Sequence, residues 1–121
     1  LLTLKSPSKK QIIEASKCME LLGIPNLAKH KFTRLSFGQQ RLILIARALV
    51  KSPSLLIFDE PCQGLDFSNR NHILKIIDKI ANSSNTQILY VTHVQSEQLK
   101  CIHHELHFEL LKEGTYKTII L

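Results

Sequence analysis

Glycine is scarce, at four residues in 121, and cysteine scarcer still, at three. Cys18, Cys62 and Cys101 are odd in number, widely separated and form no CxxC pair. A disulfide framework is therefore not expected, and a reducing cytoplasm suits the chain best. No apolar run approaches the roughly 20 residues that a membrane-spanning helix needs, so direct insertion is not expected. No charged segment leads into a long apolar stretch, as a secretion signal would require. Internal repeats, low-complexity tracts and sustained heptads are missing too, which removes solenoids and coiled coils from consideration. The chain starts at Leu1 rather than at methionine and is expected to be a piece cut from a longer protein.

What remains suits one ordinary domain core. Hydrophobic residues make up 44% and charged residues 21%, enough to bury a core without metal or disulfide staples. The net charge is +6. Such a balance admits nucleic acid, an anionic surface or phosphate-rich ligands. The basic residues are spread along the chain, among them Lys9, Lys17, Lys29, Lys51 and Lys75, and no aromatic residues interleave with them. Solvated helix faces are the better reading, and nucleic acid is not favoured as a partner.

Hydrophobic spacing predicts the elements. Ser8 can cap a helix whose stripe is Ile12, Ala15, Met19 and Leu22, closed by Gly23. Leu27 to Arg34 is short and basic, with no clear pattern. A second helix should run from Ser36 to about Val50 on Leu42, Ile45, Ala46 and Leu49, and Ser52-Pro53 breaks it. Leu55-Leu56-Ile57-Phe58, hydrophobic at every position, predicts a strand buried on both faces of a parallel sheet. Ser68 can cap a third helix carrying Ile73, Leu74, Ile76, Ile77 and Ile80. Ile88-Leu89-Tyr90-Val91 is a second strand, completing a βαβ crossover. Leu106–Leu110 and Tyr116–Ile120 predict an antiparallel hairpin around Glu113-Gly114.

The chemistry gathers at the strand ends. Asp59-Glu60 closes the first strand, at the edge where open α/β sheets bind ligands. A carboxylate there can hold Mg²⁺ against a nucleotide phosphate, and a second can align or deprotonate a water. Two exposed acids at a loop are the plain alternative. Leu35-Ser36-Phe37-Gly38-Gln39-Gln40-Arg41 opens the second helix, whose N-terminus offers unpaired N–H groups and a positive dipole end. Ser36 supplies a hydroxyl, Gly38 lets a ligand approach the backbone, and Gln39 supplies an amide. Gly64-Leu65-Asp66 makes a turn that projects an acid. His93 follows the second strand, which sets it beside Glu60 if the strands are parallel neighbours. Cys101, His103, His104 and His107 crowd four metal-binding side chains, but strand alternation would split His104 from His107, so surface histidines are preferred to a zinc site.

In this order and spacing, Leu35 to Val94 resembles the C-terminal part of an ATP-binding-cassette (ABC) ATPase domain. Leu35-Ser36-Phe37-Gly38-Gln39 is similar to the LSGGQ signature and Leu55 to Glu60 to the Walker B strand. Gly64-Leu65-Asp66 is similar to the D-loop and His93 to the switch histidine. Gln40-Arg41, Gln63 and the terminal hairpin look most like the molybdate-associated, photorepair-type members. The resemblance implies an α/β fold, a partial P-loop NTPase (RecA-like) domain with a parallel βαβ core. Residues 1–53 would be the helical signature subdomain and 54–121 the C-terminal part of the core. It implies ATP and Mg²⁺ as cofactors, with Glu60 and His93 catalytic, Asp59 on the metal, and Ser36, Gly38, Gln39 and Asp66 contacting nucleotide across an interface. The partners implied are a second cassette, head to tail, and a membrane permease, at the inner face of the cell membrane.

Two departures stand out. Phe37 replaces a signature glycine, and no G-x-x-x-x-G-K-[ST] phosphate loop occurs anywhere. The resemblance therefore implies an ATPase that drives transport, of molybdate on the finer match, with little activity from these residues alone. A chromosome-maintenance or DNA-repair ATPase, or a non-catalytic module that binds an intact cassette, are the other readings. With no phosphate-loop strand, the Ile88–Val91 strand should present an unpaired edge.

Overall fold

The computed structural model describes residues 6–112 and 114–120. The first helix, α1, is Lys9–Leu21, and Ser8 caps it in a reciprocal box with Gln11. Its end follows the sequence reading. Gly23 takes a left-handed φ of +71°, while its N–H donates to the Glu20 carbonyl and that of Ile24 to Met19. Both orphan carbonyls are thereby satisfied, and Ile24 turns into the core. The basic stretch with no clear pattern becomes two short 3₁₀ turns, Pro25–Lys29 and Phe32–Arg34.

Helix α2 spans Phe37–Leu49 and buries Gly38, Leu42, Ile45, Ala46 and Leu49, the predicted stripe with a glycine added at its tip. Strand β1 is Leu55–Asp59, helix α3 is Phe67–Ser83 and strand β2 is Gln87–Val91. Strands β1 and β2 pair in parallel, with Leu55 opposite Gln87 and Asp59 opposite Val91. All five predicted apolar residues of α3 are buried.

Three expectations need correction. The α1 stripe is not a buried face: Ile12 and Ala15 are exposed, Met19 is half-buried and only Leu22, past the helix end, is buried. Ser68 does not cap α3. Asp66 does, its carboxylate accepting from the Asn69 N–H at 2.8 Å and from the Asn69 amide at 3.1 Å. The carboxylate two residues earlier reaches the helix tip first, so Phe67 is already helical and Ser68 lies inside the first turn. Nor is β1 buried on both faces. Leu56 and Phe58 face the core, whereas Leu55 and Ile57 are 49% and 57% exposed, as are Leu89 and Val91 of β2 at 50% and 44%. The core residues of α2 and α3 lie in one cluster with Leu56 and Phe58, and α1 adds only its C-cap Leu22, with Cys18, Met19 and Leu21 half-buried against it. The described helices thus cover a single side of the sheet, and its other side stays apolar and open.

Strands β3, Leu106–Leu110, and β4, Tyr116–Ile120, form the expected antiparallel hairpin. Glu113, placed in its turn by the sequence, lies outside the described residues. Among the described residues β2 pairs with β1 alone and β3 with β4 alone, giving two separate two-stranded sheets. The edge of β2 is unpaired, as the missing strand implied. No described helix is long and apolar enough to cross a membrane.

Candidate functional site

The parallel register carries the site. Because Asp59 lies opposite Val91, the residues just beyond both strand ends emerge at one edge. The Glu60 N–H donates to the Val91 carbonyl at 2.9 Å, extending the ladder one step past β1. Glu60 then turns with a left-handed φ of +48°, a conformation that costs a non-glycine residue about 1–2 kcal/mol and recurs where a side chain must be aimed. The turn continues through the Gln63 N–H, which donates to the Glu60 carbonyl at 3.1 Å.

Thus aimed, the Glu60 carboxylate meets His93. Its Oε1 accepts from the His93 backbone N–H at 3.1 Å and lies 2.5 Å from the imidazole Nδ1. The hydrogen bond and charge of Glu60 hold the His93 pKa above its ordinary 6.5. Since the folded value is raised, the pair is fully formed below that ordinary value and weakens as pH rises through the folded one. The imidazole is solvent-exposed, so the effect concerns protonation and adds little to stability. Glu60→Gln should lower the His93 titration midpoint toward its ordinary value, read from the ring carbon resonances by NMR. An unmoved midpoint would mean that the carboxylate does not hold the proton.

The predicted anion-binding tip lies on a neighbouring element. Ser36 caps α2, accepting from the Gln39 N–H at 3.3 Å, while the Gln39 side chain accepts from the Ser36 N–H at 3.0 Å. The hydroxyl and amide expected to face a ligand are thus each engaged with the other residue's backbone N–H. Gly38 is where the two helix tips touch. A Cβ built there would come within 2.8 Å of Asn69 Oδ1, the side chain held by Asp66. Arg41 adds a second tie, donating to the Gln63 carbonyl at 3.4 Å. Phe37 and Phe67, the first residues of α2 and α3, stand outward at 80% and 77% exposure. The structure therefore brings Glu60 and His93 together at one point, and Ser36, Gly38, Gln39 and Asp66 at the joined helix tips. No hydrogen bond or ion pair among the described residues joins the two groups directly.

Asp59 ends β1 as an exposed carboxylate next to Glu60. Hard, exposed oxygen donors at a strand tip are the set that Mg²⁺ uses when a phosphate supplies further ligands. No cluster of three metal-binding side chains occurs among the described residues. The histidines near the hairpin are dispersed, with His107 bonded to Glu105 at 2.9 Å.

A half-buried polar cluster behind His93 was not anticipated. Glu97, Tyr90, Thr92 and Arg70 converge there beside Cys62. Glu97 falls in an irregular segment where neither apolar periodicity nor a motif singles it out, so no sequence signal marks it.

Comparison with known proteins bears on the family and the fold. The family profile described as ABC transporter matches residues 3–63. The ABC transporter ATP-binding protein ModF of Escherichia coli is 48% identical over 103 residues, covering 84% of this chain and 21% of that protein. The molybdate import ATP-binding protein MolC of Haemophilus influenzae is 36% identical over 91 residues, covering 75% and 36%. The chain thus spans well under half the length of these curated relatives. Among solved structures, the ADP conformation of MJ1267, an ATP-binding cassette of an ABC transporter, superposes with a TM-score of 0.76 at 25% identity, over 84% of this chain and 40% of that one. The fold is accordingly part of a P-loop NTPase cassette. With the profile spanning the signature-like helix and the acidic strand tip, the chain belongs to the ABC transporter family.

Proposed function

We propose that this chain forms the signature and Walker B portion of a cassette that binds and hydrolyses ATP to drive import. The observation that supports it most is the meeting of Glu60 and His93 at the tip of the parallel strand pair. In this reading Glu60 orients and deprotonates the attacking water. His93 exchanges its hydrogen bond to Glu60 for one to the γ-phosphate. Asp59 would hold Mg²⁺, which supplies charge neutralisation on the phosphates when bound. Ser36, Gly38 and Gln39 serve a different nucleotide, the γ-phosphate of ATP held by a second cassette packed head to tail. The Ser36 and Gln39 side chains hold the α2 tip fixed, and its free N–H groups and dipole do the binding. Asp66, at the joined tips, would sense that interface.

The division at 53/54, into a signature subdomain and a core portion, follows from this assignment. So do a membrane permease as partner and a position at the inner face of the cell membrane. Molybdate is the proposed cargo because relatives such as MolC are named for its import. The sequence contains no G-x-x-x-x-G-K-[ST] segment to wrap the β- and γ-phosphates. The 121 residues by themselves should therefore release phosphate from ATP at the background rate in a coupled assay. Ready turnover that Glu60→Gln abolishes would overturn the split-site reading.

A further inference from the structure

Glu97 is charged, yet its side chain is only 2% exposed, a burial that charged residues adopt only when paired. Its Oε2 accepts two short hydrogen bonds, from the Tyr90 hydroxyl and from the Thr92 hydroxyl, each 2.7 Å. Its Oε1 lies 3.5 Å from Arg70 Nε, a buried nitrogen with no hydrogen-bond partner among the described residues. The two donors and the paired cation come from different places. Tyr90 lies within β2, Thr92 just after it, and Arg70 in the first turn of α3, where its N–H donates to the Asp66 carbonyl. Burial and the bonds to Glu97 and Cys62 push the Tyr90 phenol far above its ordinary range, so its hydroxyl keeps its proton and donates.

Thr92 is the hinge of this arrangement. While its hydroxyl donates to Glu97, the same oxygen accepts from the Val94 N–H at 3.0 Å. The residue between, His93, is thus held from both neighbours, and its own N–H is taken by Glu60. Glu97 also closes the segment on itself, its N–H donating to the Val94 carbonyl at 3.0 Å.

We infer that Glu97 is a positioning residue: through Thr92 it fixes the segment that presents His93 to Glu60, and through Arg70 it ties that segment to the helix that Asp66 caps. The consequence for turnover rests on the function proposed above, but the positioning does not.

Amide hydrogen exchange by NMR on the intact protein without nucleotide tests the positioning, independently of ATP binding. Glu97 accepts a bond from neither the His93 nor the Val94 amide, so any effect on them must pass through the segment. Glu97→Ala should speed exchange at both amides about tenfold, the worth of one lost hydrogen bond, relative to Ile57 and Phe58 in β1. Thr92→Val should do the same at His93, and Thr92→Ser should restore the native rate. Tyr90→Phe removes a donor without touching the His93 segment and should leave both amides unmoved. If Glu97→Ala fails to fold, the Thr92 pair decides. Unchanged His93 exchange in Thr92→Val, or acceleration shared equally with β1, would overturn the inference and reduce the cluster to core packing.

Discussion

Replacing Ile77 by alanine should lower the thermal midpoint by roughly 10–20 °C, the consequence of losing about 2–5 kcal/mol. Ile77 is fully buried, one turn from Ile73 and Ile80, which are 1% and 0% exposed. All three belong to the single cluster that joins α1, α2, α3 and the inner face of β1. The loss is large beside the total, since a domain of this size holds only on the order of 5–15 kcal/mol. Ile13→Ala is the contrast. That side chain is 53% exposed on α1, and its loss should stay within about 0.5 kcal/mol. Thermal and urea unfolding followed by circular dichroism measure the midpoint and the free energy of both variants, and equal shifts would mean that α3 is not the centre of the core.

Helices α2 and α3 were legible because their apolar positions recur at the spacing that the core uses, whereas the stripe read on α1 failed at Ile12 and Ala15, which are exposed. Leu42, Ile45, Ala46 and Leu49 were read as one stripe and are buried together. The Glu60–His93 contact was legible for a related reason. Two short apolar runs joined by a helix pair in parallel, and parallel pairing brings equivalent ends to one edge. What escaped depends on contacts distant in sequence. A run such as Leu55–Phe58 is apolar at every position whether one or both faces are covered, so the open face could not be read from it. Asp66 and Ser68 are both good caps, and only the carboxylate's reach to Asn69 separates them. Ser36 and Gln39 were read as ligand donors, but their spacing is equally that of a capping box, and the box is what forms. Glu97 was invisible because a buried carboxylate is defined by its partners, and Arg70 stands far from it along the chain.

In the intact protein, Glu60→Gln should cut ATP turnover about 10²–10⁴-fold, the span that a positioned general base contributes, while ATP still binds. The substitution isolates one property. Glutamine keeps a carbonyl oxygen that can accept from the His93 N–H, as Glu60 Oε1 does, and it keeps the side chain's size, so the turn at the strand end should survive. What it loses is the charge and the ability to take a proton from water. The same loss removes the group that raises the His93 pKa, so two readouts should change together: phosphate release falls and the His93 titration midpoint drops. Asp59→Asn should act differently, raising the Mg²⁺ concentration needed for turnover without moving His93. The pairing separates chemistry from scaffolding. A fall in turnover with an unmoved His93 midpoint would leave Glu60 as a base with no partner. A lowered midpoint with turnover intact would mean that the contact exists but performs no catalysis, and the hydrolytic role proposed for this strand tip would fail.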